Sequence, residues 1–483
     1  MRIDISNAEL HNIVKRKGGL EVRKGLVSIK HATVGTKYVG GFSVESPFTT
    51  EVWHYLFEQS TATREVVMRV YTEDFLEMFT QDLGPLDSNP VITHAVYNNQ
   101  IMVNSPSFSS PLYGLVGGGI IPAVKTESSN RDTTALEIPQ GHICSFGDRM
   151  PIAQGNVIYF NDPGVDPRTY VAQNALPLSG TVYDMFQGDD GALYMFTSAG
   201  VYYMAQDALG KGQRVEGFVG MIPGLQVTKP RNAAASNGLV AVLQRDGIVI
   251  LGGKKQVIDI ASYKGPRGRS RAVEHDDYRL SGEIFPTAEG FIVGFSNKRF
   301  ESYFLDFNIR DSYRSYVWSA GGDLDIIGTL RSSENDTLLL IDSNVLMYSG
   351  VSDSWSASGA PSVSYDVTGS ACINVDMPEG IEVMVRHVVT SSNNIGKPTY
   401  FYLDSNNPNL GSIVPARVGD AIIGTSEWED NGRGRRYRSV RRSIARRVTN
   451  IPLEVSFEGA MSQIEPGVDV QTKGQGKRRG NKR

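Results

Sequence analysis

The chain has 483 residues, of which 40% are hydrophobic and 21% are charged, and its formal net charge is −4. This length exceeds that of one compact core, so we expect two or three domains or one large repeat array. The composition excludes an intrinsically disordered chain, and no apolar run reaches the roughly 18 residues of a membrane-spanning helix.

The first ninety residues mix an amphipathic opening with strand-like runs such as KYVGGFSVES and REVVMRVYT. We interpret residues 1–90 as a β-rich anchor segment, in which EVRKGL (Glu21–Leu26) is a short anchor and the turn-rich Pro85–Pro90 closes the unit. The opening lacks the apolar core of a secretory signal, so we expect a cytosol-like environment. Cys144 and Cys372 are expected to be reduced, buried thiols.

Residues 91–351 contain a repeated sequence frame. A glycine, five or six mostly apolar residues and a turn are followed by a second glycine nine positions on, as in GALYMFTSAG (Gly191 to Gly200) and GLVAVLQRDG (Gly238 to Gly247). Strand, tight turn and strand form a β-hairpin, and glycine adopts the positive φ of such a turn at low cost.

Copies of this frame recur along the region. They start at Asn98, Gly155, Gly191, Gly238, Gly290 and Thr337, and the first and last are the weakest. A repeat of roughly 40 to 50 residues that holds several short strands is typical of a β-propeller blade. We therefore predict an all-β fold with a β-propeller of about six blades over residues 91–351. Ser105–Ala123, rich in glycine, proline and serine, is predicted to be a loop between the first two blades.

The repeat spacing is lost from residue 352 onward. Long runs such as GIEVMVRHVV and IPLEVSFEG alternate apolar and polar residues, which predicts a C-terminal β-sandwich over residues 352–460. Residues 461–483, which end in KGQGKRRGNKR, are predicted to be a flexible basic tail.

The net charge is divided unevenly along the chain. Residues 431–483 carry 14 Lys or Arg and four acidic residues, a balance of +10, which leaves −14 on residues 1–430. A nucleic-acid-binding protein would be expected to have a basic main domain. The acidic body therefore argues against DNA binding, and the basic end suggests docking to an acidic partner.

Eight arginines fall within fifteen residues of the basic end, with Tyr437, Val440 and Ile444 between them. They are Arg433, Arg435, Arg436, Arg438, Arg441, Arg442, Arg446 and Arg447. Arginine without lysine favours forked pairing with carboxylates or phosphates. The cluster is compatible with a DNA-phosphate surface, a solvated charged face or a subunit interface. We favour the subunit interface, because the acidic body of a neighbouring copy would supply its partners.

Signals for catalysis, metal binding and cofactor binding are weak. Propeller glycosidases need convergent carboxylates near the axis, and acidic candidates here are Asp184, Glu301, Asp323 and Asp325. The seven histidines are scattered singly, and no phosphate-binding loop is present. We therefore predict no catalytic, cofactor or metal residues, with a propeller glycosidase acting on surface polysaccharide as an alternative and a monomeric protein-binding propeller as another.

The segment FNDPGVDPRTY (Phe160–Tyr170) is the richest polar stretch of the repeat region. Asp162, Asp166 and Arg168 could form a calcium loop or a carboxylate pair. The prolines break the ligand spacing of a calcium loop, so we favour turns in which Arg168 pairs with an aspartate.

The order of parts resembles the tail hub proteins of short-tailed (podovirus-type) bacteriophages, which are also called head-closure or packaged-DNA stabilisation proteins. The residues that carry the resemblance are blade segments such as GNVIYFNDPGVDPRTY and the C-terminal RRYRSVRRSIARRVTNIPLEVSFEG. The resemblance covers roughly Val91 to Gly459, and it does not distinguish an upper hub from a lower nozzle.

The resemblance implies a homo-oligomer in the virion tail, a ring of six copies under the portal and its adaptor. Such a ring would line the DNA exit channel, retain the packaged genome and hold other tail proteins or fibres. DNA would pass without sequence-specific binding, and the chain itself would not insert into a membrane. An acidic channel would repel the phosphate backbone, while the arginine-rich strands would seal contacts between subunits.

Overall fold

The computed structural model of the protein describes residues 9–16, 19–87, 90–127, 134–161, 166–205, 219–245, 247–251, 256–259, 277–296, 299–305, 313–320, 324–350, 352–356, 363–376, 383–392, 399–403, 427–430, 436–448, 450–458 and 463–472. The described residues are almost entirely β-strands and turns, and one short helix, α1 (Tyr278–Ser281), precedes a strand. The predicted all-β class is confirmed.

Eight strands lie in the N-terminal part of the chain. They are β1 (Glu9–His11), β2 (Ile13–Arg16), β3 (Gly19–Val22), β4 (Gly25–His31), β5 (Thr36–Glu45), β6 (Val52–Ser60), β7 (Glu65–Tyr71) and β8 (Glu77–Pro85). Strands β5 to β8 form a four-stranded antiparallel sheet in chain order, here called blade 1.

The repeat region supplies blades 2 to 6, each of four antiparallel strands. Blade 2 is β9 (Thr93–Tyr97), β10 (Gln100–Asn104), β11 (Leu112–Leu115) and β12 (Ile120–Pro122). Blade 3 is β13 (His142–Ile143), β14 (Ile152–Gln154), β15 (Val157–Asn161) and β16 (Tyr170–Pro177). Blade 4 is β17 (Val182–Gln187), β18 (Ala192–Thr197), β19 (Gly200–Ala205) and β20 (Val219–Ile222). Blade 5 is β21 (Ala233–Ser236), β22 (Leu239–Gln244), β23 (Gly247–Leu251) and β24 (Gln256–Asp259). Blade 6 is β25 (Gly282–Pro286), β26 (Gly290–Phe295), β27 (Arg299–Leu305) and β28 (Tyr313–Ser319).

The last blade is completed by a strand from the other end of the chain. Blade 7 consists of β29 (Ile326–Arg331), β30 (Thr337–Ile341) and β31 (Asn344–Gly350), and its fourth strand is β4, which pairs antiparallel with β31. The last blade is thus held to the start of the chain by backbone hydrogen bonds.

Neighbouring innermost strands touch all the way round. The ring of Phe42 on β5 stacks on His94 on β9 at a centroid distance of 3.9 Å. At the other end of the series, the Arg331 N–H on β29 donates to Ser43 Oγ on β5 at 2.9 Å. The blades therefore close into a propeller, as the repeats predicted.

The core of the propeller is divided into seven apolar layers, one between each pair of neighbouring blades, within the described residues. Blades 2 to 7 are built from residues 91–351, with β4 added to blade 7, and about six blades were predicted for this region. The seventh is blade 1, which lies in the predicted anchor segment. The interpretation of residues 1–90 as a separate anchor is therefore corrected: its strands β4 to β8 belong to the propeller.

The repeated glycines have the predicted backbone conformation. Gly191 and Gly238 have φ of 74° and 78°, and Gly200 and Gly247, which begin β19 and β23, have φ of 150° and 148°. The predicted loop Ser105–Ala123 is also corrected, because it contains β11 and β12, the two outer strands of blade 2.

Among the described residues, nine strands follow the propeller. They are β32 (Ser352–Trp355), β33 (Val363–Asp366), β34 (Thr368–Asp376), β35 (Val383–Ser392), β36 (Thr399–Leu403), β37 (Glu427–Asp430), β38 (Arg436–Val448), β39 (Asn450–Glu458) and β40 (Gln463–Thr472). The segment predicted as a flexible tail thus begins with a strand, β40, which pairs with β35 and β3. The rest of that tail, residues 473–483, lies outside the described residues.

The C-terminal strands join two sheets that also contain N-terminal strands. One sheet continues from blade 6 in the order β28-β1-β34-β39-β36, and the other has the order β2-β3-β40-β35-β38-β37. The hairpin of β32 and β33 extends blade 7, because β32 runs parallel to β4. Both ends of the chain are therefore interleaved with the propeller.

Candidate functional site

The arginine-rich segment forms the longest strand of the described chain, the thirteen-residue β38. Six of the eight candidate arginines lie on it: Arg436, Arg438, Arg441, Arg442, Arg446 and Arg447. Arg433 and Arg435 fall outside the described residues. The strand is therefore the element that carries most of the predicted interface residues.

Both edges of β38 are used in backbone pairing. On one side it pairs with β35, from Val448 opposite Val383 to Arg438 opposite Ser392. On the other side it pairs with the acidic strand β37, where Asp430 is opposite Arg436. The pairing with β37 covers only Arg436 to Ser439, so within the described residues Val440 to Val448 are paired along one edge alone.

A buried ion pair joins the N-terminal strands to the last two blades. Arg23, between β3 and β4, is 3% exposed, and its Nη1 and Nη2 donate to Asp353 Oδ1 and Oδ2 at 2.8 and 2.5 Å. Arg23 Nη2 also donates to the Ser319 carbonyl on β28 at 2.8 Å, and Arg23 Nε donates to Asn12 Oδ1 at 3.0 Å. We call the pair of Arg23 and Asp353 the clamp.

The clamp connects the start of β4 to β32, the first strand after the propeller. Asp353 Oδ1 accepts a further hydrogen bond from the Leu26 N–H at 2.9 Å, and the Arg23 guanidinium lies 5.4 Å from the Trp318 ring centroid. A forked arginine–carboxylate pair has a defined geometry, and when buried it needs every polar group satisfied. The sequence marked EVRKGL as a short anchor, but it gave no signal for Asp353, which lies 330 residues away.

The polar segment Phe160–Tyr170 contains an ion pair of the kind expected for a turn. Arg168 Nε donates to Asp166 Oδ1 at 2.8 Å, and the guanidinium lies 4.6 Å from the Tyr113 ring centroid. Partial burial raises the pKa of the Asp166 carboxyl, but the hydrogen bonds from Arg168 outweigh it and hold that pKa below its usual value. Asp162 lies outside the described residues.

The acidic candidates for a glycosidase do not converge where they are described. Asp184 lies on the innermost strand β17 but is buried, and its Oδ2 accepts the Arg231 N–H at 3.0 Å. Burial raises the pKa of Asp184 to about 8. Glu301 lies on β27, the third strand of its blade from the axis, while Asp325 is exposed just before β29. Asp323 falls outside the described residues.

Two buried histidines belong to the layers between blades. His54 is fully buried, Ser43 Oγ lies 2.9 Å from its Nδ1, and its ring stacks on Phe75 at 4.8 Å. His142, on the innermost strand β13, is also buried. Burial lowers the pKa of each imidazole to about 4. Within the described ranges, no group of three or more His, Cys, Asp or Glu residues could hold a metal ion.

Within the described ranges, no helix has the length and apolar character to cross a membrane.

Comparison with known proteins gives distant structural similarity. No family model and no curated protein matches the sequence. The structure is similar to PorZ, a surface component of the type-IX secretion system of Porphyromonas gingivalis, with 12% identity and a TM-score of 0.39 over 75% of this chain. It spans 44% of the length of that PorZ chain.

Two further solved structures show the same degree of similarity. Virginiamycin B lyase from Staphylococcus aureus has 11% identity and a TM-score of 0.37 over 70% of this chain and 98% of its own. YCF48 from Cyanidioschyzon merolae has 10% identity and a TM-score of 0.35 over 67% of this chain and 98% of its own.

Proposed function

We propose that this chain is a structural ring component of a bacteriophage tail, a hub, nozzle or head-closure protein that lines the DNA exit channel and retains the packaged genome. It would assemble as a homo-oligomer, a ring of six copies, between the portal and adaptor and the distal tail parts or fibres. Its place would be the virion tail, after synthesis in the host cytoplasm.

The observation that carries this proposal is the way β38 is built into the molecule. Its sheet contains β2 and β3, and the clamp ties the residues next to these strands to blades 6 and 7. A basic strand held in this way keeps its position relative to the propeller. A stable contact between subunits requires such a fixed position. A solvated charged face would not need such an anchorage.

Charge supports the same proposal. The balance of −14 on residues 1–430 would let a polyanion pass without adhering, because like charges repel over about 8 Å at physiological salt. The opposite balance at the C-terminal end would attract the acidic body of a neighbouring copy. A contact between two different surfaces of successive copies closes into a ring when the rotation between them allows it.

We further propose that the two C-terminal sheets pack face to face as the predicted β-sandwich. Long alternating strands such as β39 need a second apolar layer to cover one face. In this arrangement the sandwich would present the arginine strand at one side of each subunit.

The test is charge reversal of the arginine strand in assembling particles. Arg441→Glu with Arg442→Glu should keep the fold, as judged by circular dichroism, but abolish incorporation and ring formation. The matched control is Arg478→Glu with Arg479→Glu, which changes the same charge in the terminal segment and should still be incorporated.

A doubly reversed β38 variant that assembles as the wild type does would contradict the proposal. Hydrolysis of surface polysaccharide by the isolated monomer would favour the glycosidase instead, and a stable monomer that binds another protein would favour the protein-binding propeller.

A further inference from the structure

Three turns meet at one end of the seam between blades 1 and 7. They are residues 46–51 between β5 and β6, residues 72–76 between β7 and β8, and residues 332–336 between β29 and β30. The first two lie at the same end of their sheet, because alternate hairpins of an antiparallel meander do so. The third is joined to them by Ser333, whose N–H and Oγ donate to Glu73 Oε1 at 2.8 and 2.6 Å. We call these the seam turns.

The seam turns and the adjoining start of β8 expose large apolar side chains. Phe48 is 75% exposed, Leu76 is 64% exposed and Met78 is 54% exposed. Single exposed apolar residues are ordinary on a protein surface. Three at the same end of one blade are more than an isolated residue, and larger exposed apolar surfaces mark sites that bind another protein.

The same three segments are rich in carboxylates. The segments 45–51, 72–77 and 332–337 contain seven acidic residues and no Lys or Arg: Glu45, Glu51, Glu73, Asp74, Glu77, Glu334 and Asp336. Cations close to these segments have partners: Arg331 bonds Asn335, Arg69 bonds Glu58 and Glu77, and Lys30 Nζ lies 4.7 Å from the Tyr71 ring centroid. The seam turns are therefore acidic, and they and the start of β8 also expose apolar side chains.

The matching surface chemistry is a basic segment with apolar residues at intervals. Arg433–Arg447 has this pattern, because Tyr437, Val440 and Ile444 separate its arginines. Forked guanidinium groups pair well with carboxylates, and their stems can cover apolar surface. A contact between these two surfaces joins different sites on successive copies, which is the geometry of a ring.

We infer that the seam turns of one copy bind the arginine-rich strand of the next copy. This inference rests on the proposed function, since it names the surface against which the arginine strand closes the ring.

The experiment compares self-association of purified full-length chains by sedimentation velocity at low and physiological salt. Asp74→Lys with Glu334→Lys alters two exposed seam carboxylates for which no side-chain hydrogen bond is described. Glu65→Lys with Asp82→Lys is the matched control, with the same change of charge on exposed residues elsewhere on blade 1. We expect the seam variant to weaken self-association about tenfold or more, because like charges across an interface repel. The control should remain within about twofold of the wild type, since it alters no residue of the seam turns.

Mixing two defective chains makes the test specific. The seam variant keeps its arginines, and Arg441→Glu with Arg442→Glu keeps its seam carboxylates. Each should associate poorly alone, and an equal mixture should recover association. Phe48→Ser should weaken association without changing charge, while Val124→Ser, which alters a residue 70% exposed elsewhere, should not.

The outcomes separate this inference from the proposed function. If the seam variant associates as the wild type does and the arginine variant does not, the seam is the wrong surface, but the arginine interface stands. If the arginine variant associates normally, both are wrong. A wild-type chain that stays monomeric at every concentration and at low salt overturns the assignment to a second copy.

Discussion

Removing the charge of Asp353 should destabilise the protein far more than removing that of Asp166, although both residues form forked pairs with an arginine. The clamp side chains are 2% and 1% exposed, whereas those of Arg168 and Asp166 are 27% and 29% exposed. Breaking a buried pair leaves an uncompensated charge and costs about 3–5 kcal/mol. An exposed pair contributes about 0–1 kcal/mol.

The assay is urea unfolding of Asp353→Asn and Asp166→Asn, followed by tryptophan fluorescence. Trp318, one of four tryptophans, lies beside Arg23, so part of the fluorescence change reports on the clamp. The double variant Arg23→Met with Asp353→Leu removes both charges. Its loss of unfolding free energy should be smaller than the summed losses of Arg23→Met and Asp353→Leu, because neither charge is left alone.

Two results would refute this reasoning. One is a loss of less than about 1 kcal/mol for Asp353→Asn, which would place the clamp among the exposed pairs. The other is strict additivity in the double-mutant cycle, which would mean that the two side chains do not depend on each other.

Two further predictions concern pH and have opposite signs. His54 and His142 have pKa values lowered to about 4, so their contribution to stability is complete above pH 6.5 and is lost as the pH falls towards 4, by about 3 kcal/mol for each. The urea midpoint should fall over this range, and it should fall less in His54→Gln; an equal fall in that variant would contradict the assignment to His54. Asp184 has a pKa raised to about 8, so its contribution is present below about pH 4 and is lost as the pH rises to 8. Asp184→Asn should therefore resist unfolding at pH 9 better than the wild type, and an unchanged midpoint at pH 9 would show that burial does not raise the pKa of Asp184.

The sequence predicted most clearly the blades whose turns use glycine, and it missed blade 1. Two turns of blade 1 place other residues at positive φ, Arg64 at 63° and Phe75 at 59°. These residues adopt the left-handed region only when the surrounding structure holds them there. The glycine frame was therefore not recognised in residues 36–85, and blade 1 was not predicted.

The candidate site was predictable only in part. The arginines of β38 stand out by composition, because eight of them fall within fifteen residues. The clamp and the seam turns depend on contacts between residues far apart in the chain, such as Glu73 and Ser333, which are separated by 260 positions. No local sequence pattern predicts such a contact, because these groups come together only in the folded propeller.

The position of β4 has a consequence for synthesis. This strand ends at His31 and is made long before its partner β31, which spans Asn344–Gly350. Because synthesis proceeds from the N-terminus, blades 1 to 6 are translated before β31 is available to pair with β4 and close the propeller. Closure is then a late event between segments far apart in sequence, and loop closure over such a separation is slow. Until the propeller closes, β4 and β31 each have an unpaired strand edge.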